Sequence, residues 1–307
     1  HSAPCPILMI PTCFSTIGCP DWTFSEFVSR GQEAGFDGVE IRLVERETDL
    51  LTVPELAPTQ LAQRRHELAE SGFRVCGLAS SVSFDSPDAT ERAHQCVIGR
   101  AYLDLAAELE ADFVRVFGDV VRDELGRDTT IQQVAEGLTT LGEYASTLDL
   151  DVIIETHGDF SQSDLVAELL EQVPSSAVGV LWDTHHPWRF YGEPLATTFA
   201  RYAGRVRHTH WKDSVTRRLS KSDTTQHQAA QQAHELMSGH RHADYVLFGG
   251  GEFPVVDCLK LLDTAGYQGW YSYEWEKMWH PELEPPELAF PLFPDKLRQL
   301  HTLATAD

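Results

Sequence analysis

Short apolar runs alternate with longer amphipathic stretches from one end of this chain to the other. Such a rhythm predicts parallel strands, because a parallel neighbour is reached only through a crossover of a dozen or more residues, usually a helix. The strand-like runs are ILMIPTC (7–13), FDGVEIRL (36–43), FRVCGLA (73–79), DFVRVFG (112–118), 151–156, 177–183, 205–211 and WYSYEW (270–275). Helices are expected at 21–35, within 58–71, over about 88–110, within 128–148, at 161–172, near 193–203 and at 254–265. A terminal helix follows the Pro-rich stretch 279–294. Asp21 is the expected N-cap of the first helix, and Gly35 its stop. No shift in composition marks a linker, so residues 1–307 read as one domain. The fold class is α/β, a single (β/α)8 TIM barrel, with a doubly wound open sheet as the alternative. No Gly-rich phosphate loop follows the first strand, which counts against a dinucleotide site.

One segment breaks the rhythm. Residues 214–250 are polar and His-rich, with a helix expected at 224–238, and form an insertion after the seventh strand that reads as a lid or partner-binding surface. The spacing of His227, His234, His240 and His242 matches no common zinc pattern. The GGG at 249–251 reads as a turn.

Charge narrows the class of partner. With 47 acidic and 24 basic residues the formal net charge is −23, a surface that repels nucleic-acid backbones. No apolar run approaches the roughly 20 residues that cross a bilayer. The start, HSAPCPILMIP, lacks a basic region before an apolar core. Neither nucleic acid nor membrane is an expected partner, and cytoplasmic residence is the expectation. The 6 cysteines include no C-x-x-C pair, so no disulfide framework is expected.

The last four strands carry the candidate chemistry. Glu155, Asp183, His210 and Glu274 stand at the ends of the runs DVIIET, VGVLWD, VRHTH and WYSYE. Strand alternation puts Ile153, Glu155 and His157 on one face, Leu181 and Asp183 on another, then His208, His210 and Lys212, and last Ser272, Glu274 and Glu276. One choice of face gathers all four ends at the barrel mouth, where enzymes of this fold keep their chemistry. Three carboxylates brought together repel, and one divalent cation resolves the conflict. Glu40 and Arg42 share the inner face of the second strand and are candidates for substrate contact, with a buried ion pair as the alternative. Lys212, Arg115 and His157 are further candidates; for Lys212 a salt bridge to Glu276 or Asp213 is favoured, and Arg115 on the fourth strand reads similarly. Trp182, Trp188, Phe190, Trp211, Trp275 and Trp279 cluster near strand ends as packing or ring-stacking groups.

The segments GFDGVEIR, VIIET, LWDTHH, HTHWKD and GWYSYEWEKMWHPE resemble the xylose-isomerase-like TIM-barrel superfamily, in its sugar phosphate isomerase/epimerase branch. The resemblance implies that Glu155, Asp183, His210 and Glu274 bind one divalent cation, with Mn2+ first and Mg2+, Co2+ or Zn2+ as alternatives. It assigns the substrate-contacting histidine of Asp183-Thr184-His185-His186 to His186. It implies proton abstraction next to a carbonyl of a sugar or polyol, through a metal-stabilised enediolate, with Glu155 and Glu274 as acid and base. The expected activity is isomerase or epimerase. The alternative is a lyase of the same fold, a dehydratase or a 3-oxo-glycoside deglycosidase acting by elimination. Homo-oligomers, or a small partner subunit for the deglycosidase, also follow from the resemblance. The endonuclease branch with three zinc ions needs further histidines on strands three and four, which GLASSVSF and RVFGD do not offer.

Overall fold

The computed structural model describes residues 10–216 and 243–306. The expected helix at 224–238 and the histidines at 227, 234, 240 and 242 lie outside the described residues. Eight parallel strands close into a barrel: β1 (Thr12–Ser15), β2 (Gly38–Ile41), β3 (Arg74–Ser83), β4 (Phe113–Phe117), β5 (Asp151–Glu155), β6 (Val178–Asp183), β7 (Val206–Trp211) and β10 (Trp270–Tyr273). Strands β1 to β7 pair in sequence order, and β10 closes the ring between β7 and β1. This is the (β/α)8 barrel that the rhythm predicts. The first strand starts later than the apolar run 7–13 suggests. Pro11 has no N–H for a ladder, although its carbonyl accepts from Tyr271 at 3.0 Å.

Crossover helices α1 (Phe24–Glu33), α2 (Leu61–Ser71), α3 (Ala89–Glu108), α4 (Arg127–Ser146) and α5 (Ser163–Glu171) surround the first strands. After β6 come two short helices, α6 (His186–Tyr191) and α7 (Leu195–Tyr202), then α8 (Val255–Thr264), α9 (Pro286–Ala289) and α10 (Leu292–Thr305). The N-cap of α1 is Thr23, not Asp21. Thr23 Oγ1 accepts from the Glu26 N–H at 3.3 Å while Glu26 Oε2 accepts from the Thr23 N–H at 3.0 Å. Asp21 instead pairs with Arg46 on the surface, at 2.6 Å. Helix α1 buries Phe24, Phe27 and Val28, each contributing about 1.5–3 kcal/mol of hydrophobic stabilisation. Two apolar layers result. The larger lies between strands and helices; the smaller, inside the barrel, comprises Cys13, Cys76, Phe113, Ile153, Leu181 and Trp270.

The insertion is fixed where it leaves and rejoins the barrel. Strand β8 (Asp213–Thr216) pairs antiparallel with β9 (Ala243–Val246). The Asp213 carboxylate accepts the backbone N–H groups of Ser214, Gly249, Gly251 and Phe253 at 2.8–3.1 Å. A Cβ at Gly251 would lie 2.1 Å from Asp213 Oδ1, so the turn at 249–251 needs glycine there. Arg189 of α6 reaches the Ser214 carbonyl at 2.8 Å and Glu252 at 2.9 Å. The ribbon is therefore pinned to the same end of the barrel as the strand-end carboxylates. No described helix is long and apolar enough to cross a membrane.

Candidate metal centre

The four strand ends meet. One ligand-capable atom from each of Glu155, Asp183, His210 and Glu274 lies within 4.8 Å of the others, and all four residues are buried. His210 Nδ1 is 3.1 Å from Glu274 Oε2, 3.6 Å from Glu155 Oε1 and 4.0 Å from Asp183 Oδ2.

Threonines hold the strand ends level. Thr156 Oγ1 accepts the Asp183 N–H at 2.8 Å, tying β5 to β6. The Thr184 N–H and hydroxyl donate to the His210 carbonyl at 3.2 and 2.9 Å, tying β6 to β7. The Glu274 N–H donates to the Trp211 carbonyl at 3.0 Å. Neither threonine stood out in the sequence, although each directly follows a candidate carboxylate, in ET and DT. Asp183 Oδ1 accepts the backbone N–H groups of His185 and His186, both at 2.9 Å. That fixes the carboxylate and leaves Oδ2 for the cluster.

Behind His210 stands Glu40. Its Oε2 is 2.8 Å from Nε2 of His208 and 2.8 Å from Nε2 of His210. An ionised carboxylate only accepts, so each Nε2 carries a proton. Burial would lower the His210 imidazole, but Glu274 and Glu40 hold it well above its ordinary value, and loss of its second proton would free Nδ1 for a cation. Burial alone would raise the Glu40 carboxyl, but the two imidazoles outweigh it and hold the group well below the usual carboxylate range. Glu40 is fully buried. In this arrangement its carboxylate engages the two imidazoles.

Arg115 stands against Glu155. It is buried, with Nε 3.1 Å from Glu155 Oε2, Nη1 donating to the Ser80 carbonyl at 2.9 Å and its guanidinium 3.8 Å from the Phe117 ring centroid. Burial would raise the Glu155 carboxyl, yet the Arg115 guanidinium keeps it below its ordinary value. Arg42 binds the Thr48 carbonyl at 3.1 Å and Ser81 Oγ at 2.8 Å and stays partly accessible. Burial and the nearby Arg115 push it down to about 10.

Lys212 lies inside the cluster. Its Nζ is 2.8 Å from Asp183 Oδ2 and 2.7 Å from Glu276 Oε1, and it contacts Glu274. The favoured salt bridge to Glu276 is present, and Asp213 is engaged elsewhere. Burial would lower the ammonium, but the three carboxylates hold it well above its ordinary value. His186 donates from Nδ1 to the Thr156 carbonyl at 3.1 Å and presents Nε2 to Lys212 at 3.2 Å. His157, half-buried, lies with its ring centroid 5.6 Å from that of His186 and its Nδ1 3.8 Å from Asp119. Trp182, Trp211 and Trp275 are buried in the outer core, whereas Trp188 and Trp279 sit partly accessible.

The donor set fits a divalent cation. Asp183 Oδ2 and His210 Nδ1 are buried and make no hydrogen bond among the described residues, although the Lys212 ammonium lies in ionic contact with the former. Three carboxylates and one imidazole suit Mn2+, Mg2+, Co2+ or Zn2+.

Comparison with known proteins places this geometry. Residues 28–291 match the model of the xylose isomerase-like TIM barrel family. The chain belongs to that family. It is 28% identical over 153 residues to an inosose dehydratase of Klebsiella pneumoniae subsp. pneumoniae, a match covering 49% of each chain. The chain thus spans about half the length of the curated relatives it matches. Among solved structures it resembles the probable 3-DHS dehydratase AsbF of Bacillus anthracis, with a TM-score of 0.72, 15% identity and coverage of 94% of this chain and 98% of that one. It also resembles the D-psicose 3-epimerase of Clostridium cellulolyticum H10, with a TM-score of 0.68, 13% identity and 96% of each chain covered. At these identities the two structures share its fold.

Proposed function

We propose that the chain is a metal-dependent lyase that removes water from a keto-polyol by proton abstraction and elimination. The observation that carries this reading is the asymmetry of the two candidate acid–base carboxylates. Glu155 is held by the Arg115 guanidinium, whereas Glu274 stands against the Lys212 ammonium with His186 beside it. Epimerisation, the first expectation from the sequence, calls for two bases that exchange protons on opposite faces of one carbon. Elimination calls for one base and one proton donor, which is the asymmetry described. The match to inosose dehydratases supports the same choice and suggests a cyclic ketone as substrate.

A divalent cation held by Glu155, Asp183, His210 and Glu274 would act as a Lewis acid toward the substrate's oxygens. Manganese is our proposal for that ion. Glu155, kept ionised by Arg115, removes the proton beside the carbonyl. The electron pair forms the carbon–carbon double bond as the β-hydroxyl departs. Lys212, charged and buried, supplies the proton that turns the departing hydroxide into water, and His186 links that ammonium to the half-buried rim. Arg42 and His157 are placed to touch the substrate from the mouth.

The test is product analysis on a panel of inososes and 3-oxo-sugars with Mn2+ present. The expected product is an ultraviolet-absorbing enone or enol, one water lighter than the substrate. An epimer that gains one deuterium in heavy water, without loss of water, would overturn the reading. Replacing the leaving hydroxyl by fluoride should rescue Lys212→Met, because fluoride departs without a proton.

A further inference from the structure

One layer below the carboxylate cluster, the barrel holds a second group of ligand-capable side chains that the proposed reaction does not use. We propose that Cys13, Cys76 and His208 form a separate site for a borderline or soft divalent cation of the zinc class. One ligand atom from each lies within 4.8 Å of the others, and the two Sγ atoms are 3.4 Å apart. All three residues are fully buried. They come from β1, β3 and β7, so the barrel's closure, not a local motif, brings them together.

The backbone is adjusted at this depth. Between β2 and β3 the register steps from Val39↔Val75 to Glu40↔Gly77, which leaves Cys76 as the extra residue. Between β6 and β7 it steps from Val180↔Val206 to Leu181↔His208. Irregularities of this kind are rare in parallel pairs and re-aim side chains. Here they accompany the entry of Cys76 into an interior layer otherwise made of Cys13, Phe113, Ile153, Leu181 and Trp270.

Packing alone accounts for two buried thiols, which behave as small apolar groups. It does not account for the imidazole. His208 donates Nε2–H to Glu40, its ring lies 4.6 Å from that of Phe113, and its Nδ1 is buried with no hydrogen bond among the described residues. A neutral ring in that state carries an unused lone pair, and a carboxylate behind the other nitrogen is the arrangement that orients metal-binding histidines. Two thiolates and one imidazole are a zinc-type donor set, softer than the oxygen-rich set above it. Binding would release the two thiol protons, and the two thiolates would balance the cation's charge in the core.

The experiment loads the full chain with zinc, dialyses it, and measures metal content alongside the Co2+-loaded spectrum. The wild type should retain zinc in both sites and show thiolate-to-cobalt charge-transfer absorption. Cys13→Ala/Cys76→Ala should lose one equivalent and that absorption. Asp183→Asn/Glu274→Gln should lose only the other equivalent and keep the absorption, so failure of the upper site is read separately. Should the double alanine variant fail to fold, Cys76→Ser carries the same readout with the side-chain volume kept. Absence of the charge-transfer band in the wild type, unchanged zinc content in a folded cysteine variant, or a chain two hydrogens lighter from a Cys13–Cys76 disulfide would each overturn the assignment.

Discussion

The two halves of the barrel carry different charges to the same place. Strands β5, β6, β7 and β10 end in Glu155, Asp183, His210 and Glu274, whose ligand-capable atoms face one another. Strands β2 and β4 contribute Glu40 and Arg115, which turn not toward the mouth but toward the other half, onto His210 and Glu155. One half presents the ligands and, through Lys212, pairs with Asp183 and Glu274; the other half pairs with His210 and Glu155. A buried ion without such a partner costs several kcal/mol, so the second half's constellation depends on the first half's countercharges.

That division can be broken from either side. The largest effect belongs to the presenting half: Glu155→Gln should lower turnover by roughly 10²–10⁴-fold, with an unchanged circular dichroism spectrum. Equal activity in the variant would remove Glu155 from the chemistry. Next comes the supporting half, where Arg115→Met leaves Glu155 as an uncompensated buried carboxylate. Urea unfolding should show a loss of roughly 3–5 kcal/mol, and an unaltered midpoint would mean that the pair does not support the fold. A smaller effect is expected of Glu40→Gln, which keeps the shape but weakens the acceptor behind His210. Cation affinity, read by chelator competition, should fall roughly 10–100-fold; equal affinity would make Glu40 a packing residue only.

The smallest effect is one of pH. Burial pushes the Asp183 carboxyl up to about 7, with Glu274 adding to the rise and Lys212 opposing it. Below that value the proton must leave before Oδ2 can take a cation. Affinity should therefore weaken as the pH falls below about 7, by up to roughly tenfold per unit. Calorimetric titrations across that range would expose the opposite trend if Asp183 were not a ligand.

Much of this was legible in the sequence because it is local. The strand–helix rhythm and the alternation within each strand locate the barrel and bring Glu155, Asp183, His210 and Glu274 to one face. The capping box of α1 was equally local, in Thr23 and Glu26, and was missed in favour of Asp21. What strand alternation cannot reveal is who stands opposite. Glu40 and His210 are 170 residues apart and meet across the barrel, so Glu40 read as a substrate contact. The pairing of β8 with β9 likewise joins segments separated by the insertion.

The central claim is that the four strand ends hold one divalent cation. Anomalous diffraction at the manganese absorption edge, from crystals grown with Mn2+, tests it most directly. The account predicts one strong peak at about 2.0–2.3 Å from a donor atom of Glu155, Asp183, His210 and Glu274, with Lys212 withdrawn from Asp183. Density that leaves the Lys212 ammonium among the carboxylates, with no peak between them, would contradict it.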